Sequence, residues 1–80
     1  AYRLNLMKRV TLRQLRTFDA VARHLSFSRA AEELHLTQPA VSMQIRQIEQ
    51  AASQPLLEHL GKKIFLTEAG RAMLSHARAI

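Results

Sequence analysis

The sequence predicts a small, mainly α-helical domain with one β-hairpin and a further helix behind it. Three observations carry this. Apolar residues recur at helical spacing in successive segments, each opened by a Ser or Thr that can cap it. After the third such segment, "PLLEHLGKKIFLT" breaks the period into two short apolar runs around Gly61. A last apolar period then begins behind Thr67.

Helix one opens at Thr11, whose hydroxyl can accept a free backbone N–H. Leu12, Leu15, Phe18, Val21, Ala22 and Leu25 follow at helical spacing, which predicts a helix over Leu12 to His24. Arg13, Arg16 and Arg23 lie off its apolar face. Helix two is expected to be capped by Ser28, with Glu32 near the reach of a capping box, and to end near His35. Ala30, Ala31 and Leu34 give it a narrow face, small enough for another helix to approach closely.

Helix three is capped by Thr37. Pro39 falls in its first turn, where a missing N–H costs nothing. Val41, Ile45, Ile48 and Ala52 stack along one side. At about 100° per residue the opposite side carries Pro39, Met43, Arg46 and Gln50, flanked by Ser42 and Gln47. Leu56–Leu57 and Ile64 to Leu66 then form a hairpin, with Gly61, Lys62 and Lys63 as its basic tip. Thr67 caps the final helix, which carries Ala69, Ala72, Met73, Leu74 and Ala77. That apolar face is too wide for so short a domain to cover. It predicts a partner helix, as from a second copy.

Three stretches result: an extension over 1–10, a core domain over 11–66, and the start of a dimerisation helix over 67–80. Met7 is expected to be the natural start, with Ala1 to Leu6 foreign to the native chain. The N-terminus lacks the apolar stretch of a secretory signal. No apolar run approaches the roughly 20 residues of a membrane span. A cytoplasmic location is expected, and the absence of cysteine fits a reducing compartment.

Composition narrows the function. Twelve Lys and Arg against six Asp and Glu leave a formal charge of +6, which favours a polyanionic partner, nucleic acid or an anionic membrane surface. His24, His35, His59 and His76 lack the close spacing of a helical zinc pair. There is no glycine-rich phosphate loop and no nucleophile elbow. An enzyme is therefore not expected, nor a cofactor or metal.

The stretch "SFSRAAEELHLTQPAVSMQIRQIE" is more informative. Two helices joined by a short turn, the second capped at Thr37, match a helix-turn-helix. In that motif the second helix enters the major groove and its first turns touch base edges. Here those turns hold Gln38, Pro39, Ser42, Met43 and Arg46. Arg can pair with guanine, Gln with adenine and Ser with several acceptors, while Pro39 and Met43 can touch a thymine methyl. The free amides of the helix start can hold a phosphate. Lys62 and Lys63 would meet the backbone or the minor groove, positioning the protein without reading sequence. A solvated helix face and an ordinary basic turn are the plain alternatives. The net charge, the capped break before helix three and the basic hairpin together weigh against them.

The same residues resemble a known family. "LRQLRTFDAVARHLSFSRAAEELHLTQPAVSMQIRQIE", followed by "LTEAG", is similar to the N-terminal domain of LysR-type transcriptional regulators, over Thr11 to Gly70. The resemblance implies a winged helix-turn-helix followed by a linker helix that pairs into homodimers, with tetramers in full-length members. It implies Thr37, Gln38, Pro39, Ser42 and Met43 in the groove or on its phosphates, flanked by Arg29 and the wing. "LTQPAVSMQIRQIE" with "GKKIFLTEAG" resembles a subgroup that regulates carbon-fixation (RuBisCO) operons. Those regulators sense a metabolite through a C-terminal domain absent from this chain.

Three positions depart from the family. Ala52–Ser53 stands for a common Leu-Gly; Ser53 in a left-handed conformation would cost on the order of 1 kcal/mol, or the helix ends differently. Leu57 and His59 stand where the first wing strand favours Phe and Arg, so His59 is expected to contact phosphate only when protonated. Met43 replaces a frequent Arg. The expected function is sequence-specific binding of double-stranded DNA as a dimer, at an interrupted inverted repeat. A non-specific nucleoid binder explains the charge but not the mixed helix, and a helical interaction module explains only the last helix.

Overall fold

The computed structural model describes residues 10–79. The extension before Val10 and the expected start at Met7 lie outside the described residues. Val10 itself, assigned to the extension by sequence, is buried at 7% exposure and joins the core. In chain order come α1 (Leu12–His24), α2 (Phe27–Leu34), α3 (Gln38–Ala52), β1 (Leu57–Leu60), β2 (Lys63–Leu66) and α4 (Glu68–Ala79).

The caps explain where the helices begin. The Gln14 N–H donates to Thr11 Oγ1 at 3.1 Å and the Thr11 N–H donates to Gln14 Oε1 at 2.9 Å. The capping box therefore opens α1, not α2. Ser26, not Ser28, caps α2: its hydroxyl accepts the Arg29 N–H at 3.1 Å. The cause is Leu25, which turns left-handed at φ 49° and ends α1. Ser26 is then the first extended residue, Ser28 falls inside the first turn, and Glu32 lies beyond capping reach. Thr37 caps α3 through the Ala40 N–H at 3.2 Å, with Pro39 in the first turn as expected.

Helices α1, α2 and α3 all end on a left-handed residue other than glycine: Leu25, His35 and Ser53. For Ser53, at φ 57°, the α3 ending expected of the family is kept and the strain is accepted. Ser53→Gly is expected to raise stability by about 0.5–1 kcal/mol, the left-handed strain less the entropy of a glycine in the unfolded chain. Urea unfolding followed by helical circular dichroism reads it; an unchanged or lowered midpoint contradicts it.

The core gathers Phe18 and Val21 of α1, Val41 and Ile48 of α3, and Leu56 ahead of β1, all fully enclosed. Helix α1 packs on α2, α3 and α4 at once. The one buried polar side chain among the described residues is Thr17, whose hydroxyl donates to Gln44 Oε1 on α3 at 2.6 Å and lies 3.1 Å from the Arg13 carbonyl.

The hairpin is antiparallel, with Leu57 opposite Leu66 and Leu60 opposite Lys63. Lys63 thus opens β2 instead of sitting in the turn, which belongs to Gly61 and Lys62. Behind it, Thr67 joins wing to helix. Its hydroxyl accepts the Gly70 N–H at 3.0 Å and donates to the Pro55 carbonyl at 2.8 Å, while its own N–H donates to the Leu56 carbonyl at 3.1 Å.

An ion-pair network crosses the helices. Arg23 grips Glu33 with two nitrogens and Asp19 with its Nε, His24 Nε2 lies 2.8 Å from Glu33, and Arg78 of α4 reaches Asp19 at 3.2 Å. At Asp19 burial raises the carboxyl, but the hydrogen bonds from Arg23 and Arg78 outweigh it and the pKa falls. The Arg23 guanidinium, then His24, holds Glu33 down to about 2. Because the folded pKa lies below the ordinary 4.5, this contribution to stability is present above pH 4.5 and lost as the pH falls through about 2. Glu33→Gln is expected to lower the urea midpoint slightly at neutral pH, with the gap to wild type closing between pH 4.5 and 2. The gap is small because the pair is solvent-exposed. A gap independent of pH contradicts this.

Candidate nucleic-acid interface

Helix α3 is locked in rotation. Val41, Ile45, Ile48 and Ala52 are buried. On its α1 side, Gln44 bonds Thr17, and Gln47 Oε1 accepts from Gln14 Nε2 at 2.8 Å. Gln47, read as flanking the outer strip, is therefore drawn to α1. These glutamine ties escaped sequence reasoning because each partner lies on another helix.

The strip left facing outward contains the expected residues. Thr37, Gln38, Pro39, Met43 and Arg46 are exposed, Met43 at 51%, and Ser42 is half-buried. Leaving a methionine half in water on a helix that buries its other aliphatics has no packing benefit. Arg29, on α2, is exposed as well.

The wing comes against this helix. A crevice of about 230 Å³ lies between them, lined by Phe27, Ser42, Arg46, Glu49, Leu57 and His59. The Phe27 and His59 rings stand 6.2 Å apart at 34°. Ser42, Arg46 and His59 are thereby brought together, while Thr37, Gln38 and Pro39 sit at the start of α3. Lys62 in the hairpin turn and Lys63 opening β2 are exposed. Among the described residues, the ion pairs engage Asp19, Arg23, His24, Glu33 and Arg78. Arg29, Arg46, Lys62 and Lys63 stand outside them, so their charge is available to an anionic partner.

The α4 residues expected to meet a partner helix divide. Ala72 is exposed, and Ala69, Leu74 and Ala77 are half-buried against the chain's own core. Met73 is 2% exposed and belongs to that core, so it leaves the set offered to a partner. The face of α4 is narrower than its sequence implied, because α1 covers part of it. A larger open groove of about 590 Å³, between α1, α2 and α4, includes none of the outward strip of α3. Among the described residues no cluster could hold a metal ion, and no helix is long and apolar enough to cross a membrane.

Residues 12–71 match the family model described as "Bacterial regulatory helix-turn-helix protein, lysR family". The chain belongs to the LysR family. It carries the DNA-binding domain of a LysR-type transcription regulator and is not an enzyme. A "RuBisCO operon transcriptional regulator" of Allochromatium vinosum is 63% identical over 71 residues, 89% of this chain and 24% of that protein. The "HTH-type transcriptional regulator CbbR" of Rhodospirillum rubrum is 62% identical over 69 residues, 86% of this chain and 23% of the relative. The chain thus spans about a quarter of the length of these LysR relatives. Among solved structures, a CbnR DNA-binding domain in complex with DNA superposes with a TM-score of 0.83 at 38% identity, covering 88% of this chain and 80% of that one. A BenM DNA-binding domain bound to benA site 1 DNA gives 0.82 at 34%, covering 88% and 79%. The winged helix-turn-helix and the linker helix expected of the LysR resemblance are the architecture found.

Proposed function

We propose that this domain reads a specific double-stranded DNA sequence as a dimer. Helix α3 enters the major groove and the wing lies on the backbone or in the minor groove. The observation that carries this reading is the outward strip of exposed Gln38, Pro39, Met43 and Arg46 with half-buried Ser42, on a helix whose rotation is locked by its own core. The DNA complexes of the CbnR and BenM domains support it. Two copies pair through the α4 residues Ala69, Ala72, Leu74 and Ala77, as homodimers that assemble further into tetramers in the whole protein. Their half-sites lie about 34 Å or a multiple apart on one face of the duplex, as an interrupted inverted repeat. The relatives named for RuBisCO operons support carbon-fixation genes as the target, and a domain that reads double-stranded DNA in a bacterium would act in the cytoplasm.

Selection from random duplexes at near-physiological salt tests this. A two-fold repeat among the winners is the expected result. A pool that stays random despite tight binding favours a non-specific, charge-driven binder instead.

A further inference from the structure

We propose that Glu49 is a positioning residue that sets the wing against the recognition helix and so governs how the wing meets DNA. This rests on the reading that the wing touches the duplex.

Glu49 sits on α3 one turn beyond Arg46 and lines the same crevice as Arg46 and His59. Its Oε2 accepts the Leu56 N–H at 2.8 Å and the Leu57 N–H at 3.4 Å. Leu56 and Leu57 are 1% and 6% exposed, so water is poorly placed to replace that acceptor. A buried amide left without a partner is costly. One side chain of the reading helix thus holds the entry to β1. The other side of the same segment is held by α4, through Thr67 on the Pro55 and Leu56 carbonyls. Without Glu49 the hairpin keeps its ladder and its hold on α4 but loses this polar tie to α3. It is then free to tilt away from the crevice, carrying Lys62, Lys63 and His59 with it.

Geometry and charge predict opposite orders among substitutions. If reach to the two amides matters, Glu49→Gln binds DNA like wild type, because its amide oxygen still accepts. Glu49→Asp, a methylene too short, then fails like Glu49→Ala. If Glu49 acts only as a negative charge near phosphate, Gln and Ala tighten binding and Asp changes nothing.

The experiment measures the affinity of the full 80-residue chain for a duplex it binds, across a KCl series. Wild type, the three Glu49 variants, Lys62→Ala with Lys63→Ala, and the combination with Glu49→Ala are compared. Glu49→Ala and Glu49→Asp are expected to weaken binding about tenfold and to flatten the log–log salt slope by roughly 1–2, at about 0.9 per lost phosphate contact. Adding the lysine substitutions should flatten it no further. Glu49→Asp serves alone if Glu49→Ala does not fold. An unchanged slope for Glu49→Asp beside a flattened one for the lysine pair overturns this role alone. An unchanged slope for the lysine pair overturns both the wing contact and the role of Glu49.

Discussion

Gly70→Ala is expected to destabilise the domain by about 3 kcal/mol, at the upper end for overpacking a closed site. Helix propensity alone argues the other way, since alanine is favoured over glycine by about 1 kcal/mol inside a helix. The sign is decided by space. A Cβ on Gly70 would fall onto the Leu56 carbonyl oxygen, with the Leu56 carbonyl carbon at 3.1 Å and Leu66 Cδ2 at 3.2 Å. The leucine side chain can move; the carbonyl cannot easily, because it accepts the Thr67 N–H that starts α4. Backbone must therefore part from backbone where wing and linker helix meet. For a domain of this size the loss corresponds to a fall in Tm of very roughly 15 °C, at about 4–8 °C per kcal/mol. Gly61→Ala is the control. Gly61 has φ 64° with nothing near an added Cβ, so it should cost only the left-handed strain, about 1 kcal/mol. Urea unfolding of the two variants separates lack of space from lack of conformational freedom. A neutral or stabilised Gly70→Ala would mean that α4 can pivot on the wing without loss.

Gly70 also shows what was legible in the sequence and what was not. Its neighbour Thr67 was readable as a cap because capping is local: a hydroxyl, three residues, an amide. Thr11 and Thr37 were readable for the same reason, and with them the span of α1 and α3. Ser26 was not, because the cue that decides between it and Ser28 is the left-handed turn at Leu25, a residue type with no preference for that conformation. The tertiary contacts were out of reach altogether. Thr17 looks like a polar gap in the apolar stripe of α1 until Gln44, 27 residues on, is seen to bond it. Glu49 looks like one more solvated carboxylate until the hairpin folds back over it. Met73 could not be told from Ala72 as a partner contact, since a stripe records that a face is covered but not by whom.

Arg46→Ala is expected to lower the preference for the selected site over random duplex about 5- to 150-fold, the 1–3 kcal/mol of a good base-edge contact. Lys62→Ala and Lys63→Ala should instead weaken both duplexes alike, because phosphate contacts carry no sequence information. The contrast follows from how rigidly each side chain is carried. Arg46 rises from a helix fixed on its apolar side by Ile45 and Ile48, and on its α1 side by the Gln44–Thr17 and Gln47–Gln14 bonds. Its guanidinium is outside the described ion pairs, so it meets a base without first breaking an intramolecular bridge. Rigid presentation is what discrimination needs: a donor free to move would find an acceptor on any base pair. The lysines stand on a two-stranded hairpin, exposed and on flexible stems, which suits an evenly charged backbone. Ser42→Ala should fall between these cases, since the hydroxyl is half-buried beside Arg46 and makes a less selective contact. Competition binding, with labelled site against unlabelled site and unlabelled random duplex, gives the ratio for each variant directly. Equal losses on both duplexes for Arg46→Ala would place that side chain on the backbone and move the base reading to Gln38, Pro39 and Met43, nearer the start of the helix.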